Sequence, residues 1–153
     1  MTQPDHIALR DKVAADEAAL RTMPLDSATL IALAGDLLAA APAPVSVRIT
    51  LGRRVVAELS QDGTAADNAH FLGLKTNVVF NTGHSSLWWH HHLRATGRTL
   101  ADVGWADPRA VIDMGGGVPL FAGGSVVGAV ALSGLAHEAD HDLIVTAMRR
   151  YLR

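Results

Sequence analysis

The sequence predicts a single α/β (α+β) domain spanning residues 1–153, in which a mostly antiparallel sheet is sandwiched between layers of helices. Three observations carry that prediction. The first is composition: 153 residues with 49% apolar and 18% charged side chains suit one buried core and are too apolar for a disordered chain. The second is a pair of runs with period-two alternation, each doubled back by a glycine-containing turn, which is the pattern of antiparallel hairpins. The third is helical periodicity before, between and after those hairpins, which supplies the covering layers.

Taken in order, the opening segment reads as an amphipathic helix, with Leu9, Val13 and Leu20 on one stripe and Asp11, Lys12, Asp16 and Glu17 elsewhere. A second helix starts at Asp26 or Ser27, either of which can cap free backbone N–H groups. It runs through Leu30, Ile31, Ala34, Leu37 and Leu38 until Pro42 and Pro44 stop it. Val45, Val47, Ile49 and Leu51 then alternate with Ser46, Arg48 and Thr50, so one strand face is expected to be buried and the other wet. Gly52-Arg53 turns the chain into a partner strand whose Val55, Ala57 and Leu59 are expected to point one way. Thr64 and Asp67 have the spacing of a capping box, and Phe71, Leu74 and Val78 follow at helical spacing up to Gly83. Ser85 or Ser86 starts the next helix, through Trp88 to Leu93 and ending by Gly97; a short helical turn follows over Thr99–Val103. The glycines after Met114 predict a loop entering a strand, and Val118–Ala122 and Ser125–Leu132 form the second hairpin across Gly123-Gly124. Its later strand is apolar on both faces and so requires cover on both sides. Leu143, Ile144, Ala147, Met148, Tyr151 and Leu152 give the last helix its buried stripe.

Composition excludes several functions. A net charge of −2, with basic residues only in short groups (Arg48, Arg53, Arg54; Arg149, Arg150, Arg153), gives no concentrated face for nucleic acid. The absence of cysteine removes disulfides, thiolate zinc sites and cysteine nucleophiles. No run reaches the roughly eighteen apolar residues that span a bilayer. The stretch Met1–Arg21 carries acids and no continuous apolar core, so a secretory signal is not expected and a cytoplasmic location is.

His137-Glu138-Ala139-Asp140-His141 matches H-E-x-x-H, in which two imidazoles on one helix face grip zinc and the glutamate activates water. Three features weigh against a metal site and leave a zinc hydrolase as a remote alternative. No third ligand other than Asp142 follows, Ile144 stands where the metzincin extension needs glycine, and Ser133-Gly134-Leu135 places His137 in a loop or first turn. Glu138, Asp140 and Asp142 then read as acids that favour a helix N-terminus. In the run His90-His91-His92 successive rings diverge by about 100°, which disfavours a shared metal but allows any one of them to serve as an axial heme ligand. Gly83-His84-Ser85 lacks the context of a nucleophile elbow, and no glycine-rich segment fits a nucleotide fingerprint.

Four segments, in order, resemble the heme-degrading-domain (GlcG/HbpS-like) family, in particular its uncharacterised cytoplasmic branch. They are Asp67-Asn68 with Lys75, Asn77 and Val78; His84-Ser85-Ser86 with Gly97, Thr99 and Leu100; Gly115-Gly116-Gly117-Val118-Pro119; and Val127-Gly128 with Ser133-Gly134-Leu135 and Asp140-His141. The resemblance runs from about Val45 to the C-terminus. It implies a profilin-like α/β/α sandwich with a five-stranded antiparallel sheet, homodimers or higher oligomers, heme binding in some relatives, and no established reaction. Phe71 and Gly73-Leu74 replace a tryptophan and basic residues usual in the branch, and Met114 stands where a histidine is common; both changes would weaken an anion site.

The candidate ligand-binding residues are Lys75, Asn77, Ser85, Ser86, Gly115, Gly116, Asp140 and His141. Helix N-termini at Ser85 and near Asp140 would offer backbone donors to an anion, and the glycines would let a ligand approach the main chain. Two functions follow: a module that binds heme or a small anionic molecule, or an oligomeric assembly protein in which the same residues cap helices and pack an interface.

Overall fold

The computed structural model describes residues 3–153, so of the opening segment Met1–Arg21 residues 1 and 2 lie outside it. Helices α1 (His6–Ala19) and α2 (Ser27–Ala40) precede a hairpin of β1 (Ser46–Leu51) and β2 (Arg54–Ser60). Helices α3 (Ala66–Thr82) and α4 (Ser86–Ala95) and a 3₁₀ turn (Leu100–Asp102) lead to the hairpin of β3 (Gly117–Ala122) and β4 (Ser125–Ser133), and α5 (His137–Arg149) ends the chain. Every strand pairing is antiparallel, in the order β2-β1-β4-β3. The doubly apolar β4 is central, as its composition requires.

The sheet has four strands among the described residues, not five. The remaining stretch, between Thr99 and Gly116, is broken by Gly104 and Pro108 and folds as a 3₁₀ turn and loops, with no period-two run to add at an edge.

One layer, α2 and α5, covers Val47 and Ile49 of β1, Val118 and Leu120 of β3, and Val130 and Leu132 of β4 with Leu30, Leu33, Leu37, Ile144 and Met148, all fully buried. The other layer is α3, and α4 packs beside it over a second cluster of Val78, Trp89, Leu93, Val103 and Val111. The second face of β1 is therefore covered, not wet: Ser46 and Thr50 are buried, Ser46 Oγ lies 2.7 Å from Ser60 Oγ, and Arg48 pairs with Glu58 at 3.0 Å. A bulge between Ile49 and Thr50 pairs Ile49 with Ala57 but Thr50 with Val55. Val55 and Ala57 thus lie on opposite faces, because the extra residue Val56 reverses the alternation.

Asp26 caps α2 through Thr29 N at 3.1 Å, and Ser85 caps α4 through Trp88 N at 3.2 Å. The start of α3 differs from its expected capping box. Asn68 Oδ1 accepts from Ala65 N, and Thr64 Oγ1 donates to Gln61 O instead. In α2 the buried stripe takes Leu33 and leaves Ile31 54% exposed. In α1 Leu9 is exposed while Asp16 and Glu17 are buried, because the helix lies along α4 and presents those carboxylates to His84, just before α4, and to basic groups on α5.

Candidate functional site

Lys75 lies on the face of α3 that meets β4, where its stem is buried and its ammonium needs partners. Nζ donates to Leu132 O at 2.7 Å and to Asp140 Oδ2 at 3.0 Å, and both side chains are almost wholly buried. Burial lowers the Lys75 pKa, opposed by the Asp140 charge; burial raises that of Asp140, opposed by Lys75. The other carboxylate oxygen of Asp140 accepts from Leu135 N at 3.0 Å, so the acid also closes the first turn before α5.

The glycines belong to this constellation. Gly116 has φ +113°, and a Cβ there would stand 2.7 Å from both Leu132 O and Lys75 Nζ. At Gly115 a Cβ would meet His137 O at 2.8 Å, while Gly115 N donates to His137 Nδ1 at 2.9 Å. Ser86 Oγ accepts from Gly117 N at 2.8 Å. Lys75, Ser86, Gly115, Gly116 and Asp140 therefore meet at the junction of α3, α4, β3 and α5. Lys75 and Asp140 face a cavity of about 190 Å³ shared with Asn68, Phe71, Met114 and Ser133.

The other three candidates lie apart. Asn77 is exposed, donates to Ala110 O at 2.7 Å and borders a different cavity beside β1 and β2. His141 is 1% exposed and borders a cavity of about 150 Å³ with Asp16, His91 and Glu138. Its Nε2 is 3.5 Å from Asp16 Oδ2 and forms no hydrogen bond, and burial lowers its pKa against the opposing charge of Asp16. Ser85 N donates to Glu17 Oε1 at 2.6 Å. The N-terminal donors of α4 and the turn before α5 thus already hold the protein's own carboxylates, Glu17 and Asp140.

Glu17 also accepts from His84. Its Oε2 lies 2.7 Å from Nδ1, and an ionised carboxylate can only accept, so the imidazole carries a proton on Nδ1 and turns Nε2 away from Glu17. The His84 side chain is 36% exposed. It stacks on Trp88 at 3.7 Å, and Trp88 stacks on His92 at 4.5 Å. His92 differs: Arg10 Nη1 lies 3.2 Å from its Nδ1 and, having only protons to give, engages that nitrogen as acceptor. Trp88, Trp89, Trp105, His92 and Arg98 border an adjoining cavity of about 320 Å³.

Of the run His90-His91-His92 only His92 points away; the rings of His90 and His91 lie 5.1 Å apart, with His6 5.3 Å from His91 and His137 4.6 Å from His90, so the divergence expected from helical spacing does not hold for these two. His90 Nδ1 meets Asp113 Oδ1 at 2.8 Å, and His91 Nδ1 meets His6 Nδ1 at 3.0 Å. Burial and the neighbouring rings of His90, His6 and His137 lower the His91 pKa to about 4. In the H-E-x-x-H stretch His137 opens α5, accepts the Gly115 N–H on Nδ1 and approaches Glu138 Oε1 at 3.0 Å through Nε2. No group of three or more His, Asp or Glu among the described residues is arranged around one metal position. No helix among them is long and apolar enough to cross a membrane.

Sequence reasoning missed Glu17, Asp16 and Asp113 as site residues. Nothing local marks them: Glu17 and His84 are separated by 67 positions and meet only because α1 lies along α4.

Comparison with known proteins matches this fold and sequence to others. The family described as haem degrading protein HbpS-like covers residues 25–149. A UPF0303 protein of Streptomyces coelicolor is 35% identical over 111 residues, 72% of this chain and 70% of the relative. Another from Rhizobium rhizogenes is 33% identical over 143 residues, 90% of this chain and 86% of its own. Among solved structures, the Ybr137w protein superposes with a TM-score of 0.83 at 18% identity, over 93% of this chain and 86% of that one. A PduOC:heme complex superposes at 0.64, also at 18% identity, over 88% and 90%. These two likenesses show a shared fold.

Proposed function

The chain belongs to the HbpS-like haem-degrading protein family, and from that premise we propose that it is an oligomeric binding module whose ligand is heme, held through His84. The single observation that carries this reading is the Glu17–His84 pair. An imidazole whose Nδ1–H is held by a buried carboxylate has its ring orientation fixed and Nε2 directed outward, the arrangement that metal-ligating histidines use. One imidazole is enough to anchor heme. Trp88 fixes the ring by stacking, and its neighbours Trp89 and Trp105 offer apolar area for the macrocycle, with Arg98 as a partner for a carboxylate. When bound, heme supplies a redox-active iron; the chain itself supplies the ligand, its orientation and the apolar wall. The solved PduOC:heme complex supports the choice of ligand, and the donor chemistry of His84 supports its position.

In this reading Lys75, Asp140, Ser86, Gly115 and Gly116 form the rigid junction behind α4, and Lys75 and Asp140 border a separate cavity of about 190 Å³. Asn77 and His141 serve other cavities. Trp105, 49% exposed, belongs in the homodimer or larger oligomer, where a second copy would cover the heme edge. A cytoplasmic location is part of the same proposal.

The test is a heme titration followed at the Soret band. The parent protein is expected to saturate at one equivalent or less per chain, and His84→Ala to lose that saturation. Glu17→Gln, which keeps the size but weakens the acceptor, is expected to bind about ten- to a hundredfold more weakly. A linear response in the parent, or an unchanged curve in His84→Ala, would discard the reading.

A further inference from the structure

A further cavity lies between the β1–β2 hairpin and α3, and His84 is not among its lining residues. Its volume is about 540 Å³. Arg48 and Arg53 are its charged lining residues among the described residues, and Glu58 approaches only through its pair with Arg48. Arg48 commits Nε and Nη2 to Glu58, at 3.0 Å each, and its Nη1 lies 3.2 Å from where a Cβ on Gly73 would be. Gly73 therefore keeps room for that guanidinium on the cavity side of α3. Arg53 is exposed in the turn between the strands.

The opposite part of the wall is apolar. Val55 and Phe80 are 51% and 41% exposed, unusual for large apolar side chains on two packed elements. Val55 reaches this face only because of the bulge in β2, which turns it away from the side it would otherwise share with Ala57. Between the two parts sits Thr50, 6% exposed, whose hydroxyl is buried with no hydrogen-bond partner among the described residues. A buried hydroxyl without a partner carries a desolvation cost that a bound acceptor would relieve, and rotation about Cα–Cβ exchanges its position with the methyl group.

We infer that this cavity is a second binding site, for an amphipathic carboxylate: a carboxylate head facing Arg53 and Arg48, an apolar body on Val55 and Phe80, and the Thr50 hydroxyl as an additional donor. Arg53, with the Nη1 of Arg48 that Glu58 does not engage, favours an anion, exposed apolar side chains favour a hydrophobic body, and the volume accepts a bicyclic ring. The site is independent of the heme reading, since neither His84 nor Glu17 is among its lining residues.

The probe is 2-naphthoate, with neutral 2-naphthamide as its isostere, titrated calorimetrically into the 153-residue protein. Naphthoate is expected to bind with about one equivalent per chain and at least about tenfold more tightly than the amide, the worth of one charge-assisted contact. Arg53→Gln is expected to remove that preference, and Phe80→Ala to weaken both probes. Both residues are exposed, and unchanged circular dichroism and heme titration would show that the fold and the His84 face remain intact. Absence of saturable naphthoate binding, equal affinity for the two probes, or binding indifferent to both substitutions would each overturn the inference.

Discussion

At the scale of single residues, the chain spends its buried charges on fixing geometry. Lys75 and Asp140 are both desolvated, and removing one strands the other without compensation. Lys75→Met is therefore expected to destabilise the protein by about 3 kcal/mol or more, read from urea denaturation. Adding Asp140→Leu to it should recover part of that loss, because the two changes share one interaction; strictly additive losses would contradict the pairing. His91 adds a dependence on pH. Its native pKa falls to about 4 because of burial and the adjacent imidazoles, while the unfolded chain titrates near 6.5. Between those values the unfolded state holds more protons than the native state, so stability falls as the pH drops from 6.5 towards 4. Burial lowers the native pKa values of His92, His137 and His141 in the same direction. His91→Gln is expected to flatten the decline in Tm over that window, and an unchanged slope would contradict the assignment.

At the scale of elements, the central strand tolerates no side chain where it crosses β1 most closely. A Cβ on Gly128 would collide with the carbonyl of Thr50, a backbone atom that cannot turn aside. Gly128→Ala is expected to break the pairing of β1 with β4 and yield insoluble or uncooperatively melting protein, whereas Gly35→Ala, in open space on α2, should be neutral or stabilising. A cooperative Gly128→Ala with parent Tm would show that the strands can part there without cost. The elements themselves were legible in the sequence, because proline, glycine and periodicity act locally: Pro42 after α2, Gly83 after α3 and Gly123-Gly124 between β3 and β4 stand where the pattern put them. The bulge in β2 was not legible, since an inserted residue shows only once the partner strand is known. Nor was the burial of Asp16 and Glu17, which reads as a solvated helix face until α4 and α5 supply their partners.

At the scale of the whole molecule, residues far apart in sequence sort into separate regions of one sandwich. Eight candidate side chains were drawn from the pattern of a family, and five of them meet at the junction of α3, α4, β3 and α5. Their partition among cavities depended on packing that no local pattern encodes: α1 crosses to α4 and places Glu17 against His84, while α3 lies between the Lys75 junction and the Arg53 cavity. Exposed Trp105 beside Trp89 is the surface on which a second copy is expected. Light scattering should give at least twice the chain mass, with Trp105→Ser lowering it; a monomeric parent would remove the oligomer from the account.

The measurement that bears most directly on the central claim is the Soret titration of parent and His84→Ala proteins in parallel, with His92→Ala as companion. The account expects saturation at one heme or less per chain in the parent and in His92→Ala, and none in His84→Ala. Saturation that persists without His84, or fails in the parent, would contradict it.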